Sequence, residues 1–228
     1  MARLRRIVIP GQVHVIVHRG HNGQSVFADE RDRETYLSSL RDAAREAGVA
    51  VHAYGLFGPE VRLLVTPRGE AGLGRMMQSI GRRFVRAFNQ RHACTGTPWE
   101  GRFRSAVIEA ELHFLACMRF VEGLAEAGTM AATDGVRTSA AHHLAGRDDA
   151  LVEAHPAYWA LGNTPFEREA AYGRMTAQPV PAAQLAAILH AASNGWVLGS
   201  DAFAAQVMAR AQRKARPSAP GRPPKRSV

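Results

Sequence analysis

The sequence predicts a mixed α/β (α+β) fold: a four-stranded, ferredoxin-like split β-α-β sheet with helices on one face, then a helical C-terminal extension and a basic tail. Three observations predict it. The chain opens on a strictly alternating segment, two later segments carry apolar stripes of helical period, and the elements between them follow the order β-α-β-β-α-β-α. The first six of those elements are the split β-α-β arrangement, which leaves one sheet face free to hold a site.

Residues Gln12–His18 alternate, Val13, Val15 and Val17 pointing one way and His14, Ile16 and His18 the other, which is a strand. A Gly/Asn loop follows. Asp29–Ala47 is a helix with Tyr36, Leu37, Leu40 and Ala44 on one face, ended by Gly48 just past its last turn. Val49–Phe57 and Glu60–Thr66 are strands joined at Gly58-Pro59 into a hairpin. Gly72–His92 is a long helix, because Leu73, Met77, Ile80, Phe84 and Phe88 fall on one stripe. A loop leads to a fourth strand over Arg102–Ala110 and a third helix from Glu111 to Glu126.

Beyond Gly128 the pattern weakens. Residues 129–164 read as irregular with short helices, and three further helices are expected at Pro165–Met175, Ala182–Ala192 and Ser200–Lys214. Ser200 is the expected N-cap of the last, with Asp201 at the positive end of its dipole. From Ala215 the chain is rich in Pro, Arg and Gly, the composition of a flexible basic tail. The expected organisation is a first domain over 1–128, an irregular and helical extension over 129–214, and a disordered tail over 215–228.

Composition narrows the functional classes. The chain has 228 residues with 46% hydrophobic content, enough for a packed core and against global disorder. Its 29 Lys+Arg against 20 Asp+Glu give a formal charge of +9, the sign that suits a phosphate backbone. Cys94 and Cys117 form no CxxC pair and no disulfide framework, which fits a reducing cytosol. The N-terminus is basic but lacks the long apolar run and cleavage site of a secretory signal. No stretch approaches the roughly 18–20 apolar residues of a membrane helix. A cytoplasmic, nucleoid-associated protein is the expectation.

The stretches RIVIPGQVHVIVHRGHNGQSVF, HAYGLFGPEVRLLVTP, GRRFVRAFNQRHACTGTPWEGRFRS and LACMRFVEGLAEAG together resemble the REP-associated tyrosine transposases, a branch of the HUH single-strand DNA transposases. RIVIPGQVHVIVHRGHNGQSVF resembles their opening strand and loop, GRRFVRAFNQRHACTGTPWEGRFRS their long helix, loop and fourth strand, and LACMRFVEGLAEAG their tyrosine helix, which usually reads R-Y-I-E-x-N-P. HAYGLFGPEVRLLVTP aligns without gaps on a stretch that usually ends M-P-N-H-V-H-L-L, and NGWVLGSDAF and GRPPK resemble the C-terminal region. The resemblance spans most of the chain and is most specific at WEGRFRS. It implies the fold above and a chemistry in two parts. A pair of histidines at i and i+2 on one strand holds a divalent metal such as Mg²⁺ against the scissile phosphate, and a tyrosine on the last helix attacks to form a covalent link to DNA.

All three central positions depart from that pattern. By the alignment the histidines are Glu60 and Arg62 and the tyrosine is Phe120. A carboxylate still offers oxygen to a hard cation, but a guanidinium has no free lone pair and repels metal, and phenylalanine has no nucleophilic oxygen. Glu60 and Arg62 lie on the same side of their strand and are placed to pair. No intact catalytic set is expected, so the family's metal is expected to be lost. The alternative is an active transposase or endonuclease nicking single-stranded DNA with a relocated nucleophile. Tyr54 and Tyr36 are the candidates for it, with His14, His18 and His52 as strand histidines that would have to converge on one face.

DNA binding would survive such losses. On the long helix Arg75, Arg82 and Arg86 lie opposite the apolar stripe, Arg83 sits at its edge, and Arg91 extends the charge; only Glu70 precedes the run, so no acid within the helix neutralises it. Arg102 and Arg104 flank Phe103, with Trp99 upstream, which suits single strands or hairpin feet where bases stack, or else marks core aromatics beside surface arginines. In the tail, Gly221-Arg222-Pro223 resembles an AT-hook core, although Pro224 stands where a second arginine is usual. The expected partner is single-stranded or hairpin (palindromic) DNA, bound by a monomer or a dimer. A DNA-independent protein whose old site has become a packed interface is the remaining class.

Overall fold

The computed structural model describes residues 6–125 and 135–212. β1 (Val13–Arg19) is followed by a short 3₁₀ turn at His21–Gly23, then α1 (Glu30–Ala47), β2 (Val49–Leu56), β3 (Glu60–Pro67), α2 (Gly72–His92), β4 (Arg104–Ile108) and α3 (Ala110–Val121). The remaining elements are β5 (Arg137–Thr138), α4 (Ala140–Leu144), α5 (Pro156–Trp159), α6 (Pro165–Thr176), α7 (Ala182–Asn194) and α8 (Asp201–Ala211). The sheet is antiparallel in the order β4-β1-β3-β2-β5. The expected mixed α/β class and its split β-α-β core are therefore present, extended by one short edge strand.

Local chemistry explains the ends. The Asp29 side chain accepts the Asp32 N–H to cap α1, and Gly48 closes it in the left-handed region at φ 64°. Thr164 and Glu167 form a reciprocal capping box on α6, whose first turn begins with Pro165. Ser200 caps α8 as expected by accepting the Phe203 N–H.

Strand alternation divides the core in two. Ile16, Val61, Leu63 and Val65 face α1 and α2, packing on Tyr36, Leu40, Leu73, Met76, Ile80 and Phe84. Val13, Val15, Val17, Leu64 and Ala106 face the other way, onto Phe114, Cys117, Met118, Phe120 and Val121 of α3, joined by Tyr172 and Ile188. This corrects the expectation of an open sheet face. α3 and the helices of the C-terminal extension cover it, because α3 is apolar nearly all round and needs burial on two sides.

Two boundaries and one element also differ. β4 begins at Arg104, not Arg102, since Gly101 sits at φ 132° and bends the chain before pairing starts. α3 stops at Val121, where Gly123 takes φ 76°, short of the expected Glu126. β5 was not anticipated. The tail with Arg222 and its AT-hook-like triplet, and the expected boundary at 128, lie outside the described residues.

Candidate nucleic-acid interface

Glu60, Arg62 and Phe120 meet in space. β3 presents Glu60 and Arg62 toward α3, whose last turn carries Phe120. Arg62 Nε donates to Glu60 Oε1 at 2.6 Å, and Arg62 Nη1 donates to the Phe120 carbonyl at 2.8 Å. The guanidinium carbon lies 4.5 Å from the Phe57 ring centroid and 4.3 Å from that of Phe120. Arg19, opposite Glu60 in the β1–β3 register, donates Nε to Glu60 Oε2 at 3.2 Å. Phe120 is 3% exposed. Both carboxylate oxygens of Glu60 are thus taken by guanidiniums, and Arg62 brings a fixed positive charge with no lone pair. This donor set does not fit a divalent cation. Among the described residues no group of three or more His, Cys, Asp or Glu side chains is placed to hold a metal ion.

The residues considered as substitutes lie elsewhere. Tyr36 is wholly buried between Phe27, Phe84 and Trp99, and burial raises its phenol well above the usual range. Tyr54 packs in the α1/α2-side core, where its hydroxyl donates to Asp149 at 2.8 Å; burial and that carboxylate raise its pKa. The three histidines do not converge. His14 lies between the Gln12 carbonyl and the Ile9 N–H, His18 bonds the Gly101 carbonyl, and His52 lies between the Glu153 carbonyl and the Thr66 hydroxyl. Burial lowers His14 and His18 to about 4, with Arg6 adding to the effect at His18, so both are neutral at physiological pH.

The arginines of α2 divide into two sets. Arg75, Arg82 and Arg86 are exposed and have no hydrogen-bond or ion-pair partner among the described residues. Arg83 does have partners: its Nη2 donates to both oxygens of Glu46 at 2.8 Å, with Asp42 at 3.5 Å. Arg91 is held by Asp29 and Asp32. No acid within α2 answers this face, as its spacing implied, but Arg83 and Arg91 are answered from outside the helix. The acids come from α1, packed alongside, and are invisible in the spacing of α2 itself.

Near β4 the aromatics are core. Trp99 is 5% and Phe103 9% exposed, so neither offers a free ring face for a base, which settles the choice left open between stacking platform and core. One face of Trp99 is taken by His18, with centroids 4.0 Å apart at 13°. Arg6 covers Phe103 at 3.7 Å and donates to its carbonyl. On one side of the His18–Trp99 stack, Arg82 and Arg86 flank a shallow, mostly apolar groove lined by Val85, Thr97 and Trp99. On the other, Arg6, His18, Arg19, Arg102 and Arg104 line a pocket of about 360 Å³ with Glu100 as its one carboxylate. Arg104 Nη1 donates to the Ser193 carbonyl at the pocket wall, and Arg102 has no partner among the described residues. Sequence reasoning missed Arg6 and Arg19. The period of β1 places Arg19 on the face of Val17, which was a usable signal, whereas nothing local brings Arg6 beside β4.

No family model matches the chain, and no curated protein does. Among solved structures, a REP-associated tyrosine transposase bound to a REP hairpin superposes with a TM-score of 0.46 at 15% identity, over 54% of this chain and 71% of that one. A Deinococcus radiodurans R1 protein assigned as a transposase superposes with a TM-score of 0.36 at 23% identity, over 54% of this chain and 97% of that one. At these scores and identities the likeness assigns no function to this chain. No helix among the described residues is long and apolar enough to cross a membrane.

Proposed function

We propose that this protein binds single-stranded or hairpin DNA through its phosphates and has lost the nicking reaction of the transposases its sequence resembles. The observation that carries the binding half is the pair of cationic surfaces meeting at the His18–Trp99 stack: the Arg82/Arg86 groove and the Arg6, Arg19, Arg102 and Arg104 pocket. Cations gathered beside few acids raise the local potential and release counterions when phosphates replace them. Arg75, Arg82, Arg86, Arg102 and Arg104 are the contacts of this reading. Arg83 is spent on α1. With Trp99 and Phe103 buried, backbone contact outweighs base stacking.

The loss of nicking is supported by the Glu60, Arg62 and Phe120 cluster. It offers neither a metal-binding donor set nor a hydroxyl nucleophile, and its own contacts hold it closed. The test of binding is fluorescence anisotropy with a labelled imperfect-hairpin single strand across a salt series. Arg82→Ala/Arg86→Ala is expected to weaken binding about tenfold and to reduce the slope of log affinity against log salt by about 1.4. An affinity that does not respond to salt, or no binding, sinks the proposal.

A further inference from the structure

The pocket beside β4 has a chemistry more particular than a basic surface. Its four guanidiniums come from three separated places in the chain: Arg6 before β1, Arg19 at the end of β1, and Arg102 and Arg104 on either side of Phe103 where β4 begins. Like charges are forced together there. Arg6 titrates below the usual arginine range because of burial and, next, the charge of Arg102. The protein itself answers little of that charge. Arg6 is satisfied by the Phe103 carbonyl, Arg104 by the Ser193 carbonyl and Arg19 by Glu60, while Arg102 is unpartnered among the described residues. Each guanidinium keeps at least three of its five N–H donors.

The shape limits what can answer them. The cavity is about 360 Å³ and is walled on one side by Ser193, Asn194 and Gly195 at the end of α7. That is the small end of the range for ligand pockets and suits one nucleotide's worth of material. A phosphodiester within a strand carries one charge and two free oxygens and must leave room for chain on both sides. A terminal phosphomonoester carries about 1.5 to 2 negative charges and three acceptor oxygens. Arginine forks match such a group in pairs.

The geometry points to this pocket as a receptor for a phosphomonoester, presented by a phosphorylated DNA end or by a free mononucleotide. The DNA-end form rests on the DNA-binding reading above; the mononucleotide form does not. On a DNA end, the pocket would anchor the terminus while Arg82 and Arg86 follow the backbone beyond the His18–Trp99 stack.

The test compares two pairs of single-stranded oligonucleotides by anisotropy. One pair differs only in a 5′-phosphate against a 5′-hydroxyl, the other only in a 3′-phosphate against a 3′-hydroxyl. The DNA-end form predicts that one phosphorylated end binds about tenfold tighter than its hydroxyl partner. Arg102→Glu, at an exposed position with no hydrogen bond or ion pair among the described residues, collapses that ratio, whereas Arg82→Ala/Arg86→Ala weakens both members of the pair and leaves the ratio standing. The mononucleotide form is read by titrating adenosine monophosphate into the full chain and following amide chemical shifts around residues 101–105 and 193–195. Shifts that vanish in Arg102→Glu, with no end preference, assign the pocket to the free nucleotide. Equal affinity for all ends together with no such shifts overturns the inference, even where hydroxyl-ended DNA binds. Failure of every oligonucleotide to bind while the nucleotide still does overturns the DNA-binding reading instead.

Discussion

Arg62 holds the junction between β3 and the end of α3 together. Its guanidinium joins β3 to the last turn of α3 through the Phe120 carbonyl, stacks between two phenyl rings and shares Glu60 with Arg19. Arg62→Ala removes two charge-assisted hydrogen bonds and both ring contacts, so we expect a loss of about 2–3 kcal/mol in urea unfolding. A loss within the scatter of the measurement would show the cluster to be ornamental. Histidine gives a second residue-scale expectation. His14 is buried, and its pKa falls from 6.5 to about 4. The unfolded chain therefore binds more protons than the folded one between those values. Stability from this group is complete above pH 6.5 and is lost as pH falls toward 4. Thermal unfolding is expected to be flat above neutrality and to decline through that window; a melting temperature that holds to pH 4 contradicts it. At this scale the sequence was informative about identity and silent about company. Glu60 and Arg62 were readable as a pair from the period of a strand, but the ring of Phe57, the Phe120 carbonyl and the approach of Arg19 come from three different elements.

Among elements, α3 is the hinge of the architecture. Its C-terminus approaches β2 so closely that a Cβ on Gly55 would lie 2.2 Å from the Val121 carbonyl oxygen. Gly55→Ala must therefore push α3 off the sheet, at a cost of about 1–3 kcal/mol by chemical denaturation. Just beyond, Glu122 is fully buried. Its Oε1 accepts from His143 Nδ1 at 2.6 Å and the Ser139 hydroxyl at 2.7 Å, and its Oε2 accepts from the Tyr172 hydroxyl at 2.7 Å. That one carboxylate ties α3 to α4 and α6, so Tyr172→Phe, which orphans an oxygen of Glu122, is expected to cost about 1–3 kcal/mol. An unchanged unfolding midpoint would refute that role. The long elements were legible because periodicity and caps agree, as at α1, α2 and α8. β5 was not, since two residues, Arg137 and Thr138, carry no alternation to detect. Nor did α2 alone disclose that Arg83 and Arg91 are answered by Glu46, Asp42, Asp29 and Asp32 of α1.

For the whole molecule, the second layer of helices matters most. The expected free sheet face is filled by α3 and α7, and the cationic groove and pocket lie to either side of the His18–Trp99 stack. The sign of the net charge was plain in composition, but its focus around His18 and Trp99 depends on chain approaches of more than eighty residues, such as Arg6 to Phe103 and Arg104 to Ser193. The proposed function has two halves: DNA binds there, and the Glu60, Arg62 and Phe120 cluster leaves it whole. Both are tested by incubating the protein with a labelled imperfect-hairpin single strand and Mg²⁺ or Mn²⁺, then resolving it on native and denaturing gels. The account predicts a shifted band under native conditions and intact, protein-free DNA under denaturing ones. Cleaved DNA, or a band of DNA covalently attached to protein, would contradict it.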